Sequence, residues 1–377
     1  MAARFRAEGR DVAADGMTMD ALSSGEGEPG AERHATIAAY HRKVVRRMLI
    51  VAAIGLLCIM AFALDISTGP SALPLRDVWA GLFDPGRLTA PQLTIIRDVR
   101  LPYALMALLV GAALSLAGAE MQTILNNPLA SPFTLGVSSA ASFGAALGIV
   151  LGVGLPFLPM DWVVPINAFL CAFASVLLLE FLARSRAAGT EGVVLFGIAL
   201  VFTFNALVAL IQFVASQEAL SQLVFWSMGS LGRATWGNLG LLAAVVAMVL
   251  PFSFRAAHAM TALRLGEERA RSFGIDVRRL RFASLLRISA LAATAVAFVG
   301  TIGFIGLVGP HIARLLLGED HRFLLPASLL TGALIMALAS VGSKILVPGV
   351  LLPVGIVTSM IGVPVFLLLI LRKPERV

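Results

Sequence analysis

The chain has 377 residues, of which 58% are hydrophobic and only 14% charged, with a mean hydropathy of +0.90. Soluble domains carry about 25% charged residues, so this composition points away from a water-soluble surface. The net charge of +7 does not argue for nucleic-acid binding, because the basic residues follow the pattern of membrane topology.

Residues 1–45 include MDALSSGEGEPGAERHAT, a polar, glycine-rich stretch without an apolar run, and read as a disordered cytoplasmic tail. They lack the short apolar core of a cleavable signal peptide, so the first span is expected to remain in the mature protein. Residues 46–377 read as one transmembrane domain. Crossing a hydrocarbon core takes about 20 apolar residues. Ten stretches qualify: 47–66, 101–121, 134–155, 162–183, 192–215, 237–255, 282–303, 304–317 (short), 323–346 and 350–371. The expected fold is therefore all-α, a polytopic helical bundle.

Small residues recur at three- and four-residue spacing in GAALSLAGA (111–119), SSAASFGAALG (138–148) and TGALIMALASVG (331–342). Lipid gives helices no hydrophobic reason to associate, so close backbone approach must supply the packing. Cys58 and Cys171 both fall inside spans and read as small packing residues.

With the N-terminus in the cytoplasm and the spans alternating, the inward segments are HRKVVRR, LARSRAAGTEG, 256–281, GEDHR and LRKPERV. These short loops are rich in Lys and Arg, as cytoplasmic loops are. The outward loop 65–100 balances four Arg (76, 87, 97, 100) with four Asp (65, 77, 84, 98). Both termini are then cytoplasmic.

Glu120 and Glu180 sit near the cytoplasmic ends of the second and fourth spans, and Lys344 near the outer end of the ninth, which leaves the midplanes nearly free of charge. A carrier driven by an ion gradient places titratable groups at that depth, so such a carrier is disfavoured. No Gly-Lys pair occurs, and a phosphate-cradling GxxxxGK[ST] loop is therefore missing. If ATP drives transport, ATP–Mg must be held on a separate ATPase chain. No nucleophile–base pair and no metal-ligand spacing is found. The chain is not expected to be an enzyme, and no catalytic, metal or cofactor residue is assigned.

The segment LGEERARSFGIDVRRLR (265–281) reads as a short helix in which Glu267 and Arg271 pair at four-residue spacing. Gly274 suits a left-handed cap, and Asp276 can cap a second short helix, VRRLR. Ala270, Phe273 and Ile275 would form an apolar patch. This is a compact projecting element, suited to docking.

Three stretches together resemble one family, the FecCD/BtuC-type permeases of ABC importers for iron–siderophores, haem and cobalamin. They are RLPYALMALLVGAALSLAGAEMQTILNNPLASPFTLGVSSAASFG (100–144), the 265–281 segment, and VAFVGTIGFIGLVGPHIARLLLGEDHRFLLPASLLTGAL (296–334) continuing to LPVGIVTSMIGVPVFLLLIL (352–371). The resemblance covers about residues 46–372. It implies a ten-span inner-membrane subunit acting as a homodimer or beside a similar permease. It further implies a pair of cytoplasmic ATPase subunits, and a periplasmic or lipoprotein substrate-binding protein.

By the same resemblance, Gly266, Glu267, Glu268, Ala270 and Gly274 belong to coupling helices at 262–281 that contact the ATPase. Asn127 and Leu129 match a cytoplasmic gate, with Thr190 and Glu191 as its second element. Pro310 and His311 are expected to open a short inner helix. Arg100 and Lys344 match basic residues offered to the binding protein.

Two acids usual in the family read Ser340 and Leu351 here, and Glu120 stands where the family tends to be apolar. The NNPLASPFTLGVS wording favours a ferric-siderophore cargo, with haem or cobalamin next and a molybdate-type oxyanion behind them. An ion-coupled secondary transporter is the alternative of a different class.

Overall fold

The computed structural model describes residues 29–183, apart from 70, 72, 85 and 87, and residues 190–371. Among the described residues every regular element is helical. The chain divides into two units, residues 1–48 and 49–377. In the first, helix α1 (Pro29–Ser67) already begins at Pro29. Residues 29–45, expected as part of a disordered tail, are therefore helical, in keeping with their many Ala, Arg and Lys residues. Residues 1–28 lie outside the described residues.

Among the described residues, the second unit holds the rest of α1 and thirteen more α-helices. In chain order these are α2 (Leu75–Phe83), α3 (Ala90–Thr94), α4 (Leu101–Ile124), α5 (Val137–Ile149), α6 (Met160–Ala183), α7 (Thr190–Phe213) and α8 (Gln217–Ser227). They continue with α9 (Trp236–Leu263), α10 (Glu267–Ser272), α11 (Val277–Val299), α12 (Ile305–Leu317), α13 (His321–Ile345) and α14 (Val354–Leu371). Seven helices are long and apolar enough to cross a membrane, and α5, α12 and α14 are shorter apolar helices. These ten coincide with the ten expected spans. Segments between the spans also form helices. Residues 217–227 form α8, N-capped by the Ser216 hydroxyl and burying Leu223 and Trp226.

Helix α4 is the axis of the bundle. Nearly all of its side chains are buried, and α9, α11, α12 and α13 pack around it. Small residues let backbones meet: a Cβ on Gly118 would overlap the Gly306 carbonyl of α12, and one on Gly111 would overlap that of Gly332 in α13. Gly144 stands equally close to Asn167, joining α5 to α6. All three stretches of small residues thus meet a neighbouring backbone, as expected of helices that associate without a hydrophobic driving force.

Pro310 lies inside α12 rather than at its start, which corrects the expected opening of a short helix at Pro310 and His311. A proline there cannot donate to the carbonyl of Gly306. Gln122 of α4 reaches that freed region, its Nε2 donating to the carbonyls of Gly306 (3.5 Å) and Leu307 (3.4 Å).

Candidate functional site

At one end of the bundle the chain leaves α9, forms α10 and returns as α11. Gly266 precedes α10 with φ +110°, a backbone state that side chains rarely adopt. After α10 the chain turns through Gly274 at φ +79°. There the Ile275 N–H donates to the Ala270 carbonyl (3.1 Å) and the Gly274 N–H to that of Arg271 (2.9 Å). These paired bonds are the Schellman closure expected of a glycine cap. Asp276 accepts the Arg279 N–H at 3.0 Å. The helix it caps is not a short one, however: VRRLR runs without a break into the spanning part of α11.

Glu267 pairs with Arg271 at 2.6 Å, four residues on, and with Arg281 at 2.9 Å. Glu268 is exposed, as are Arg269, Arg271, Arg278 and Arg279, and Phe273 is 65% exposed. Ala270, by contrast, is fully buried against Leu263 and Val277. It forms the foot of the projection, while Phe273 and the arginines form its outer face.

Beside this hairpin, α4 ends in the turn NNPLA. Asn126 is left-handed, φ +46°. The Asn127 N–H donates to the Gln122 carbonyl (3.0 Å) and the Asn126 N–H to that of Thr123 (3.1 Å), a second Schellman closure. The Asn127 side chain then accepts the Leu129 N–H at 2.9 Å, an Asx turn that sets the direction of the chain. Leu129 is partly exposed beyond it. Thr190 and Glu191 begin α7, and their side chains lie outside the described residues.

Side chains that the sequence did not single out hold the two elements together. Arg264 donates to the Asn126 Oδ1 (2.5 Å) and to the Glu319 Oε1 (2.8 Å). Arg281 donates to the Ile124 carbonyl (3.2 Å) and to the Glu267 Oε2 (2.9 Å). Arg314 donates to the Gln122 Oε1 at 2.8 Å and pairs with Glu319 at 3.1 Å. Burial pushes the Glu319 carboxyl up, but Arg314 and Arg264 outweigh it and hold the group below its ordinary range. His321 is buried between Thr123 (2.7 Å) and Thr261 (3.2 Å). The available signal was the charge within GPHIARLLLGEDHR and at the edges of the 265–281 segment.

At the opposite end Arg100 and Lys344 do not offer their charges outward. Arg100 is buried and donates to the carbonyls of Ile66, Ser67 and Ser71, closing the C-terminal end of α1. Lys344 pairs with the buried Asp65 at 2.8 Å, and Ser340 donates to the same oxygen at 2.6 Å. Asp65 of α1 thus brings an acid to the place where Ser340 lacks one. The expectation that both cations face a binding protein is corrected accordingly. Glu120 also has a role: it is fully buried and pairs with Arg287 of α11 at 2.8 Å. Among the described residues no group of His, Cys, Asp and Glu could hold a metal ion.

Residues 57–372 match a family model described as the FecCD transport family. The chain belongs to the FecCD transport family. It is a multi-pass membrane protein of the ABC permease type. This FecCD-family chain is 36% identical to the hemin transport system permease protein HmuU of Yersinia pestis, over 74% of this chain and 84% of that protein. It is also 36% identical to the Fe(3+) dicitrate transport system permease protein FecD of Escherichia coli, over 78% and 90% of the two chains. A solved transporter described as of metal-chelate ABC type, in an inward-facing conformation, superposes with a TM-score of 0.74 at 30% identity. That match covers 85% of the FecCD-family chain and 98% of the solved one.

Proposed function

We propose that this chain is the permease of a binding-protein-dependent ABC importer that carries ferric siderophores across the bacterial inner membrane into the cytoplasm. The observation that carries the reading is the hairpin 264–281. It projects from the bundle, is fixed by glycine and aspartate caps, and is bonded at one foot to the end of α4 and at the other to the turn that follows it. A rigid projection of this kind can turn the closure of a cytoplasmic ATPase into rocking of the spans, as alternating access requires.

On this reading the hairpin, both termini and the NNPLA turn are cytoplasmic. A pair of ATPase subunits holds ATP–Mg and meets Gly266, Glu267, Glu268 and Gly274, with Ala270 packed beneath. Asn127 and Leu129, with Thr190 and Glu191, gate a pathway formed with a second permease copy or a paralogue. A substrate-binding protein delivers cargo at the opposite end. Iron crosses as cargo within its organic chelate, with no side chain coordinating it.

The siderophore assignment is supported by the NNPLASPFTLGVS wording and by the likeness to a ferric dicitrate permease. The equal likeness to a hemin permease makes haem the second reading, with cobalamin beside it.

Uptake in a strain lacking the gene decides among them, comparing radiolabelled iron presented as several ferric siderophores with haem and cobalamin. Loss of one siderophore alone, restored by the wild-type chain but not by membrane-inserted Gly266→Trp, is the expected result. Unchanged uptake of every iron complex would sink the siderophore reading. Uptake that persists without a partner ATPase and collapses with the ion gradient would instead identify an ion-coupled carrier.

A further inference from the structure

We infer that Arg281 and Arg264 are positioning residues that link the coupling hairpin to the gate turn, carrying the displacement of α10 to residues 124–129. The inference rests on the coupling reading above and adds the route by which the motion leaves the hairpin.

Helix α10 packs mainly on α9 and α11. It has six residues, and Ala270 is its buried residue. Its strongest polar connection towards α4 runs through Glu267. One guanidinium, that of Arg281, donates from Nη2 to the Glu267 carboxylate (2.9 Å) and from Nε to the Ile124 carbonyl (3.2 Å). Ile124 is the last residue of α4. Its carbonyl has no partner within the helix and lies at the negative end of the helix dipole, where a cation is favoured. The planar fork of an arginine fixes the angle between its acceptors, so Glu267 and the end of α4 move together.

Arg264 repeats the device on the other strand of the hairpin. It follows the last residue of α9 and donates to Asn126 at 2.5 Å and to Glu319 at 2.8 Å. The two arginines therefore grip residues 124 and 126, on either side of Leu125, from the two feet of one projection. Asn126 is the residue whose left-handed backbone directs the chain into Asn127, Pro128 and Leu129. Deeper in the bundle, Glu120 and Arg287 join α4 to α11 independently. Removing either arginine should therefore leave the helices associated while breaking one of the two links between the hairpin and the end of α4.

The test uses the complete transporter, permease with its ATPase and binding protein, in proteoliposomes, and reads ATP hydrolysed per substrate imported. The wild-type complex comes first: if it shows no ATP-driven uptake, the function proposed above fails, whatever the variants do. Given a working complex, Arg281→Ala and Arg264→Ala should each keep hydrolysis within about twofold of wild type while uptake falls about tenfold or more, the scale expected for a lost charge-assisted bond.

Arg281→Lys keeps the charge but presents a point donor in place of a fork, and should recover only part of the uptake. Equal loss of hydrolysis and uptake would assign both arginines a merely structural role and overturn the inference. So would uptake unchanged by either alanine variant. If the alanine variants do not assemble, the lysine variant decides: a hydrolysis-to-uptake ratio equal to wild type overturns the inference, and a raised ratio supports it.

Discussion

Glu120 of α4 and Arg287 of α11 meet at 2.8 Å with the carboxylate fully buried. Ser253 of α9 donates to the same carboxylate, and Arg287 donates to Ser284 at 2.8 Å, so three helices share one polar cluster. A buried charge is tolerated when it is paired and hydrogen-bonded, and becomes costly when its partner is removed. Glu120→Ala leaves Arg287 unpaired and should destabilise the protein by about 3–5 kcal/mol, whereas Glu120→Leu combined with Arg287→Met should restore most of the loss. Thermal unfolding in detergent measures both. A single variant as stable as wild type would show that the pair does not hold these helices.

Lys344 and Asp65 make the corresponding contact at the other end of the bundle, with side-chain exposures of 4% and 0%. The ammonium also lies 4.5 Å from the centre of the Tyr103 ring, where a cation is attracted to the aromatic face. Lys344→Met should therefore lower stability by about 3–5 kcal/mol, because it strands Asp65. The affinity of the folded variant for its binding protein should stay at the wild-type value, since the charge never faced outward. A pull-down in which the stable fraction of Lys344→Met loses its partner would return Lys344 to the docking surface.

Gly118 tests the small-residue packing. A methyl group there would overlap the Gly306 carbonyl, and both backbones belong to packed helices. Gly118→Ala should cost about 1–3 kcal/mol through forced separation of α4 and α12. Gly240 of α9 is the control, since nothing stands within 4 Å of a Cβ built on it. Gly240→Ala should be neutral or stabilising by up to about 1 kcal/mol, through a less flexible unfolded chain. Equal melting temperatures for the two variants would contradict the close-packed reading.

Much of this architecture is legible in sequence because its signals are local. Apolar length marks all ten spans, and the Gly274 and Asp276 caps lie within a few residues of the turns they set. What escapes is pairing at a distance. Glu120 and Arg287 are 167 residues apart, and Arg281 and Ile124 are 157 apart, and no periodicity relates such positions. The resemblance offers Arg100 and Lys344 to a binding protein, and nothing local shows that their acceptors come instead from the end of α1 and the residues just after it. The Asp276 cap marks where a helix starts at VRRLR but not where it ends, and backbone hydrogen bonding continues through to Val299. Helix α8 escapes as well, because it is too short and too polar to register as a span.

Glu319 provides a pH dependence with a definite sign. Burial raises the pKa of its carboxyl, but Arg314 and Arg264 together bring it below the ordinary glutamate value of 4.5. A group whose folded pKa is depressed adds stability above its unfolded pKa and loses it as the pH falls through the folded value. Glu319→Gln should thus be less stable than wild type by a constant margin near neutrality, and the margin should shrink once the pH drops below about 4.5. The margin itself should be modest, because the carboxylate is 39% exposed and solvent screens the attraction. Melting temperatures of the two proteins across that range give the answer. A margin that widened on acidification would mean that Glu319 is protonated in the folded protein, and that Arg264 and Arg314 do not hold it ionised.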